Sequence, residues 1–179
     1  MARRAKPRPR PAGFDQGPRP FAEWVPAASI AIASLLVAML PIVSLKGWWP
    51  DAGFLVLLAW RMHRSDPFPN WWAIPLGLIN DLLSMHPIGL SVVTFCLALL
   101  AIDVVDARKM GRNWLTEWLL AALLVLAAEF IQWWVAAIQG AAMPLAALWP
   151  PIVITILAFP LIAELVALLD RYRLRKTGV

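Results

Sequence analysis

The chain has 179 residues, is 61% hydrophobic and has a mean hydropathy of +0.69. Soluble domains use roughly 45–50% apolar residues, so composition excludes a soluble globular domain and identifies a membrane protein. A formal net charge of +5 does not point to nucleic acid, because the 16 Lys and Arg residues gather at the ends of apolar runs rather than along amphipathic helices. Cys96 is the only cysteine and lies inside an apolar run, which leaves neither a disulfide framework nor a cysteine-based metal site.

The opening stretch MARRAKPRPRPAGFDQGPRP is rich in Pro and Arg and cannot bury a core. Residues 1–22 are therefore expected to form a disordered or polyproline-like basic arm. The apolar run from Trp24 to Leu45 is longer than the hydrophobic region of a signal peptide and lacks a small-residue cleavage site, so it reads as a retained first span. Further apolar segments follow at 50–62, 71–85, 87–105, 114–139 and 144–169. The expected fold is all-α, a polytopic helical bundle over residues 23–170 with six transmembrane helices, followed by a basic tail at 171–179. The second and third segments are short. At about 1.5 Å per residue, fifteen residues reach roughly 22 Å of a hydrocarbon core about 30 Å thick. They are expected to be tilted neighbours in a thinned membrane or partly re-entrant.

Charge sets the orientation, because Lys and Arg accumulate on the cytoplasmic side. Six spans with both termini cytoplasmic place Arg3, Arg4, Lys6, Arg8, Arg10, Arg19, Arg61, Arg64, Arg108, Lys109, Arg112, Arg171, Arg173, Arg175 and Lys176 inside, leaving only Lys46 outside. Trp24, Trp48, Trp49, Trp60, Trp71, Trp72, Trp114 and Trp149 fall at span boundaries, where indoles anchor at the headgroup level. Trp133 and Trp134 sit deeper and are expected to pack against neighbouring helices or a partner.

Ionisable groups at membrane depth cost about 2.5–3.5 kcal/mol at a span centre and normally have a partner. Asp103 and Glu164 lie near cytoplasmic ends, within reach of water or arginines, whereas Asp81 and Glu129 are deeper. Ala73, Gly77, Asp81 and Ser84 share one helical face that is small and polar, with Asn80 beside it; Glu129, Gln132, Ala136 and Gln139 share another. The two faces invite pairing. Their polar groups could join helices by hydrogen bonds, form a proton or substrate site, or recognise a partner. In SMHPIGL, Pro87 is expected to start the fourth span, Gly89 gives flexibility or close packing, and His86 reads as a solvated turn residue rather than a metal ligand. No P-loop, G-x-S-x-G, H-E-x-x-H or dinucleotide fingerprint occurs.

The block from PDAGFLVLLAW through GLINDLLSMHPIGLSVVTFCLALLAI resembles the bacterial rod shape-determining protein family MreD. The positions that carry the likeness are Pro50, Gly77, Asp81, Ser84 and Gly89. They form a proline-led short span, a Gly-x3-Asp-x2-Ser pattern and a Gly-hydrophobic turn into the next span. The match covers roughly a third of the chain by this pattern; the long Pro/Arg arm and SMHP in the turn depart from it. The resemblance implies a non-enzymatic scaffold of the bacterial inner membrane, needed for rod cell shape and lateral peptidoglycan synthesis. Its implied partner is MreC, and through it the MreB filament, RodA and RodA's partner transpeptidase. No catalytic residue, cofactor or metal is implied; membrane lipid surrounds the bundle. Gly77, Asn80, Asp81, Ser84, Pro87, Gly89, Glu129 and Gln132 are the candidates for structural or partner-interface roles. A six-helix vitamin-binding subunit of an energy-coupling-factor transporter is the alternative, using Asn80, Asp81, Glu129 and Gln132. A membrane enzyme would have to rely on Asp81 and Glu129.

Overall fold

A computed structural model describes residues 20–39, 50–64, 69–107, 113–141 and 144–175. The arm up to residue 19, Lys46, Trp48, Trp49, the basic cluster at 108–112 and the last four residues lie outside the described residues.

Six α-helices and two short 3-10 turns make up the described chain, with no strand among the described residues. They are α1 (Pro20–Met39), α2 (Ala52–His63), α3 (Ala73–Ser84), α4 (Leu90–Ala107), α5 (Trp114–Ile138) and α6 (Trp149–Arg175). The 3-10 turns, Asn70–Trp72 and Leu145–Ala147, lead into α3 and α6. Three segments are long and apolar enough to cross a membrane: Leu90–Ala107, Trp114–Ile138 and Leu145–Tyr172. That is the character of a membrane protein.

Helix α2 lies at the centre, against α1, α4 and α6. Its residues from Ala52 to Trp60 are apolar on every side, and Phe54, Leu55, Leu57, Leu58, Ala59 and Trp60 are all buried, as a stretch without a polar face requires. Helix α3 packs on α4 and α1, while α5 pairs with α6 and touches α4. Successive helices run in opposite directions. Ser34 of α1 meets the start of α2, Ser29 meets Trp60 near its end, and His63 meets Asp170 near the end of α6.

Two sequence-based expectations change here. Trp60 is no interfacial anchor: it is fully buried, and its indole Nε1 donates to Ser29 Oγ at 2.8 Å. Because neighbouring helices enclose α2 at Trp60, the indole has a hydroxyl to bond instead of headgroups. Trp24, Trp71, Trp114 and Trp149 are exposed; Trp71 stacks on Trp72, and Trp24 meets the same ring edge-on. Pro87 does not open α4, which begins three residues later at Leu90. The intervening turn uses Met85 at φ 54° and Gly89 at φ 98°, the second a conformation that glycine adopts without strain.

Candidate functional site

The start of α4 explains how a carboxylate sits in the interior. The first amides of a helix have no intrahelical acceptor and carry the positive end of its dipole. Asp81, on the last turn of α3, is almost fully buried and takes two of these amides: Gly89 N–H donates to Oδ2 at 2.7 Å and Ser91 N–H to Oδ1 at 2.8 Å. Asp81 thus caps a helix other than its own and locks the α3–α4 turn. Gly77, one turn earlier on the same face, brings the two backbones together. A Cβ added there would lie 2.6 Å from Val92 Cα and 2.7 Å from Val92 N. Ser84, expected on that face, is exposed, because α3 ends there and the chain turns away at Met85.

Asn80 is the hub that ties four helices. Its Oδ1 accepts from Ser34 Oγ of α1 at 2.7 Å, and its Nδ2 donates to Asp51 Oδ2 at 3.0 Å and Ser91 Oγ at 3.1 Å. Asp51 is the N-cap of α2, with Oδ1 accepting from Phe54 N–H at 3.0 Å. Gly53 leaves room for this junction, since its Cβ would fall 2.1 Å from Ser34 Oγ and 2.7 Å from Asn80 Oδ1. Each polar group is therefore satisfied within protein, which is what the low dielectric demands.

The opposite end of the bundle carries a second polar layer. Arg61 pairs with Asp103, whose other oxygen accepts from Asn70 Nδ2, and the nearly buried Asp170 lies 3.5 Å from Arg64 Nε and 3.8 Å from His63 Nε2. Glu164 is exposed on α6.

Asp81 and Glu129 do not pair. Both oxygens of Asp81 are engaged by α4, and no hydrogen bond joins the two carboxyls. Glu129, Gln132, Ala136 and Gln139 do share a face, and that face lines a pocket of about 240 Å³ beside His86 and Pro87. His86 lies in the α3–α4 turn as expected and is half-buried, with its Nδ1 sealed from solvent and making no hydrogen bond. Trp133 lines the same pocket, whereas Trp134 is exposed. Among the described residues no three His, Cys, Asp or Glu side chains cluster as a metal site would.

Asp51, Ser34 and Ser91 are the members of the network that the sequence reading missed. Asp51 had a usable signal: Pro-Asp-Ala-Gly at the start of an apolar run is an N-cap pattern. Ser34 and Ser91 had none, because isolated serines on apolar helices usually bond their own backbone.

Compared with known proteins, the chain matches no family model, no curated protein and no solved structure.

Proposed function

We propose that this chain is a non-enzymatic membrane scaffold of the bacterial machinery for lateral cell-wall synthesis, of the MreD type. In this reading it docks MreC through a bundle whose shape is fixed from within. One observation carries the proposal: Gly77, Asp81 and Gly89, three of the five residues on which the resemblance rests, fall in one interlocked α3–α4 turn. A motif whose residues hold helices together suits a protein that works by shape. Both oxygens of Asp81 are spent on the start of α4, so in this reading its part is to hold the α3–α4 turn.

Six spans with both termini cytoplasmic accompany this reading. The alternating helix directions support it, as does the gathering of Arg61, Arg64 and Arg171 toward one end. At about 18 Å, α2 is too short to bridge lipid alone, but a helix surrounded by protein need not match the bilayer. A vitamin-binding transporter subunit is less favoured, because drug-sized ligands occupy pockets of roughly 300–1,000 Å³. The pocket beside Glu129 is smaller, at about 240 Å³.

The test is affinity purification of the tagged full chain from native bacterial membranes in mild detergent, with mass spectrometry of all bound proteins. Recovery of MreC with wall-synthesis enzymes is expected, and their recovery should fall for Asp81→Leu. Recovery of an ATPase module instead, with no MreC, would overturn the scaffold reading.

A further inference from the structure

Helix α6 runs through a proline. Pro160 lies inside Trp149–Arg175, has no N–H, and its ring crowds the carbonyl one turn back, that of Ile156. In a membrane span the missing donor has to come from neighbouring protein or an ordered water. Here α5 supplies it: the Trp118 indole Nε1 donates to the Ile156 oxygen at 3.2 Å. Trp118 is half-buried, and Trp114 stacks on it with ring centres 6.4 Å apart and planes 4° from parallel, which fixes where the indole points. The donor is thus aimed at a carbonyl that α6 cannot satisfy through its usual α-helical bond. The two parts of α6 also have different attachments. From Phe159 on, the helix belongs to the core: Phe159 and Val166 are buried in it, and Asp170 meets His63 and Arg64 at the end of α2. Before that point Val153, Ile154 and Leu157 are exposed, and buried Ile152 lies outside the main core cluster. Leu148, immediately before α6, lines the pocket beside Glu129 together with Pro87 and Leu90.

We propose that α6 articulates at Pro160, that Trp118 is the latch holding its bend, and that the latch sets the width of the pocket between Leu148 and the α3–α4 turn. With the hydrogen bond made, residues 149–159 are held to α5 in one direction. Released, they swing about the joint while the part from Pro160 onward stays clasped to α2. The lever is long enough to matter: Trp149 is eleven residues before Pro160, about 16 Å along a helix, so a change of about 10° in the bend shifts it by roughly 3 Å. Trp118 is therefore a positioning residue, acting on the pocket through α6 and not by lining it.

Spin-label distances on the full chain in lipid nanodiscs test this, with Cys96→Ala as background so that only the introduced thiols are labelled. One pair, Ile88→Cys with Trp149→Cys, uses exposed positions beside Pro87 and Leu148; a second, Val104→Cys with Leu168→Cys, reports the part of α6 clasped to the core. With Trp118 and Pro160 intact, each pair is expected to give one narrow distance. Trp118→Phe keeps an aromatic ring and removes the donor; it should broaden or shift the first distance by about 3 Å and leave the second unchanged. Pro160→Ala gives the Ile156 carbonyl an amide donor of its own, so adding it to Trp118→Phe should return the first pair to one narrow distance. A packing role for the indole alone would not be rescued in this way. If Trp118→Phe does not fold by itself, its folding in the Pro160→Ala background is the same expectation, because the proline is what makes the donor necessary. A first distance indifferent to Trp118→Phe, equal broadening of both pairs, or failure of Pro160→Ala to rescue would overturn the latch.

Discussion

Helices α1 to α4 and the α5–α6 pair are built on opposite principles. The first four are laced by side chains that cross from one helix to another: Ser34 to Asn80, Asn80 to Asp51 and Ser91, Asp81 to the amides of α4, Arg61 to Asp103. The α5–α6 contact is mainly apolar, relieved by the Trp118 indole donating to the Ile156 carbonyl at 3.2 Å. Leu115, Leu119, Leu123, Leu126, Phe130, Trp134 and Ile138 of α5 all face outward. In lipid an apolar contact gains little over an apolar tail, so packing fit and hydrogen bonds decide which helices stay together. The lesson is that polar side chains join α1 to α4, and Asp170 ties α6 to α2 as well, so α5 is the helix with the fewest polar attachments to the rest.

That contrast can be broken most forcefully at Gly77. Gly77→Leu must displace the α4 backbone at Val92, and overpacking of this kind costs about 3 kcal/mol; the expected outcome is loss of the monodisperse peak on size exclusion. Asp81→Leu comes next. It strands two buried amides at about 1–3 kcal/mol each, whereas Asp81→Asn still accepts and should lower stability by about 1 kcal/mol, both read from thermal unfolding in detergent. Wild-type melting for both variants would remove the capping role. Gly53→Ala should cost about 1–2 kcal/mol by its clash with Ser34 Oγ, and adding Ser34→Ala should recover part of it, a non-additivity of at least about 0.5 kcal/mol in a double-mutant cycle. Trp60→Phe removes one hydrogen bond to Ser29 and should cost about 1 kcal/mol. At the far end of the scale, Leu123→Ala on the exposed face of α5 should change the melting free energy by no more than about 0.5 kcal/mol. A loss there as large as that of Asp81→Leu would erase the distinction between the two regions.

Much of the bundle is legible in the sequence. Segments at 50–62 and 114–139 match α2 and α5 closely, because long apolar runs bounded by charge or Asn leave few choices. The small face of α3 was also readable, since Gly77 and Asp81 are four residues apart on one side. Their partner was not. Periodicity identifies which residues share a face but not what that face meets, and a pairing of Asp81 with Glu129 looked as reasonable as the amides that Asp81 takes. The start of α4 was misplaced for a related reason. Pro87 is a good first helical residue, but the chain needs Met85 and Gly89 at positive φ to bring its amides round to Asp81. Trp60 escaped because the boundary rule assumes an indole that reaches the headgroups, and this one is fully buried among neighbouring helices.

The brevity of α2 also bears on how the molecule is made. A 12-residue helix ending in Arg61 and His63, emerging from the ribosome as an isolated segment, is a poor candidate for independent partitioning into lipid. Its Arg61 acquires the Asp103 carboxylate only after α4 has been synthesised, some forty residues later. Biogenesis of this bundle must therefore be cooperative across several segments, with α2 drawn into place by helices translated after it.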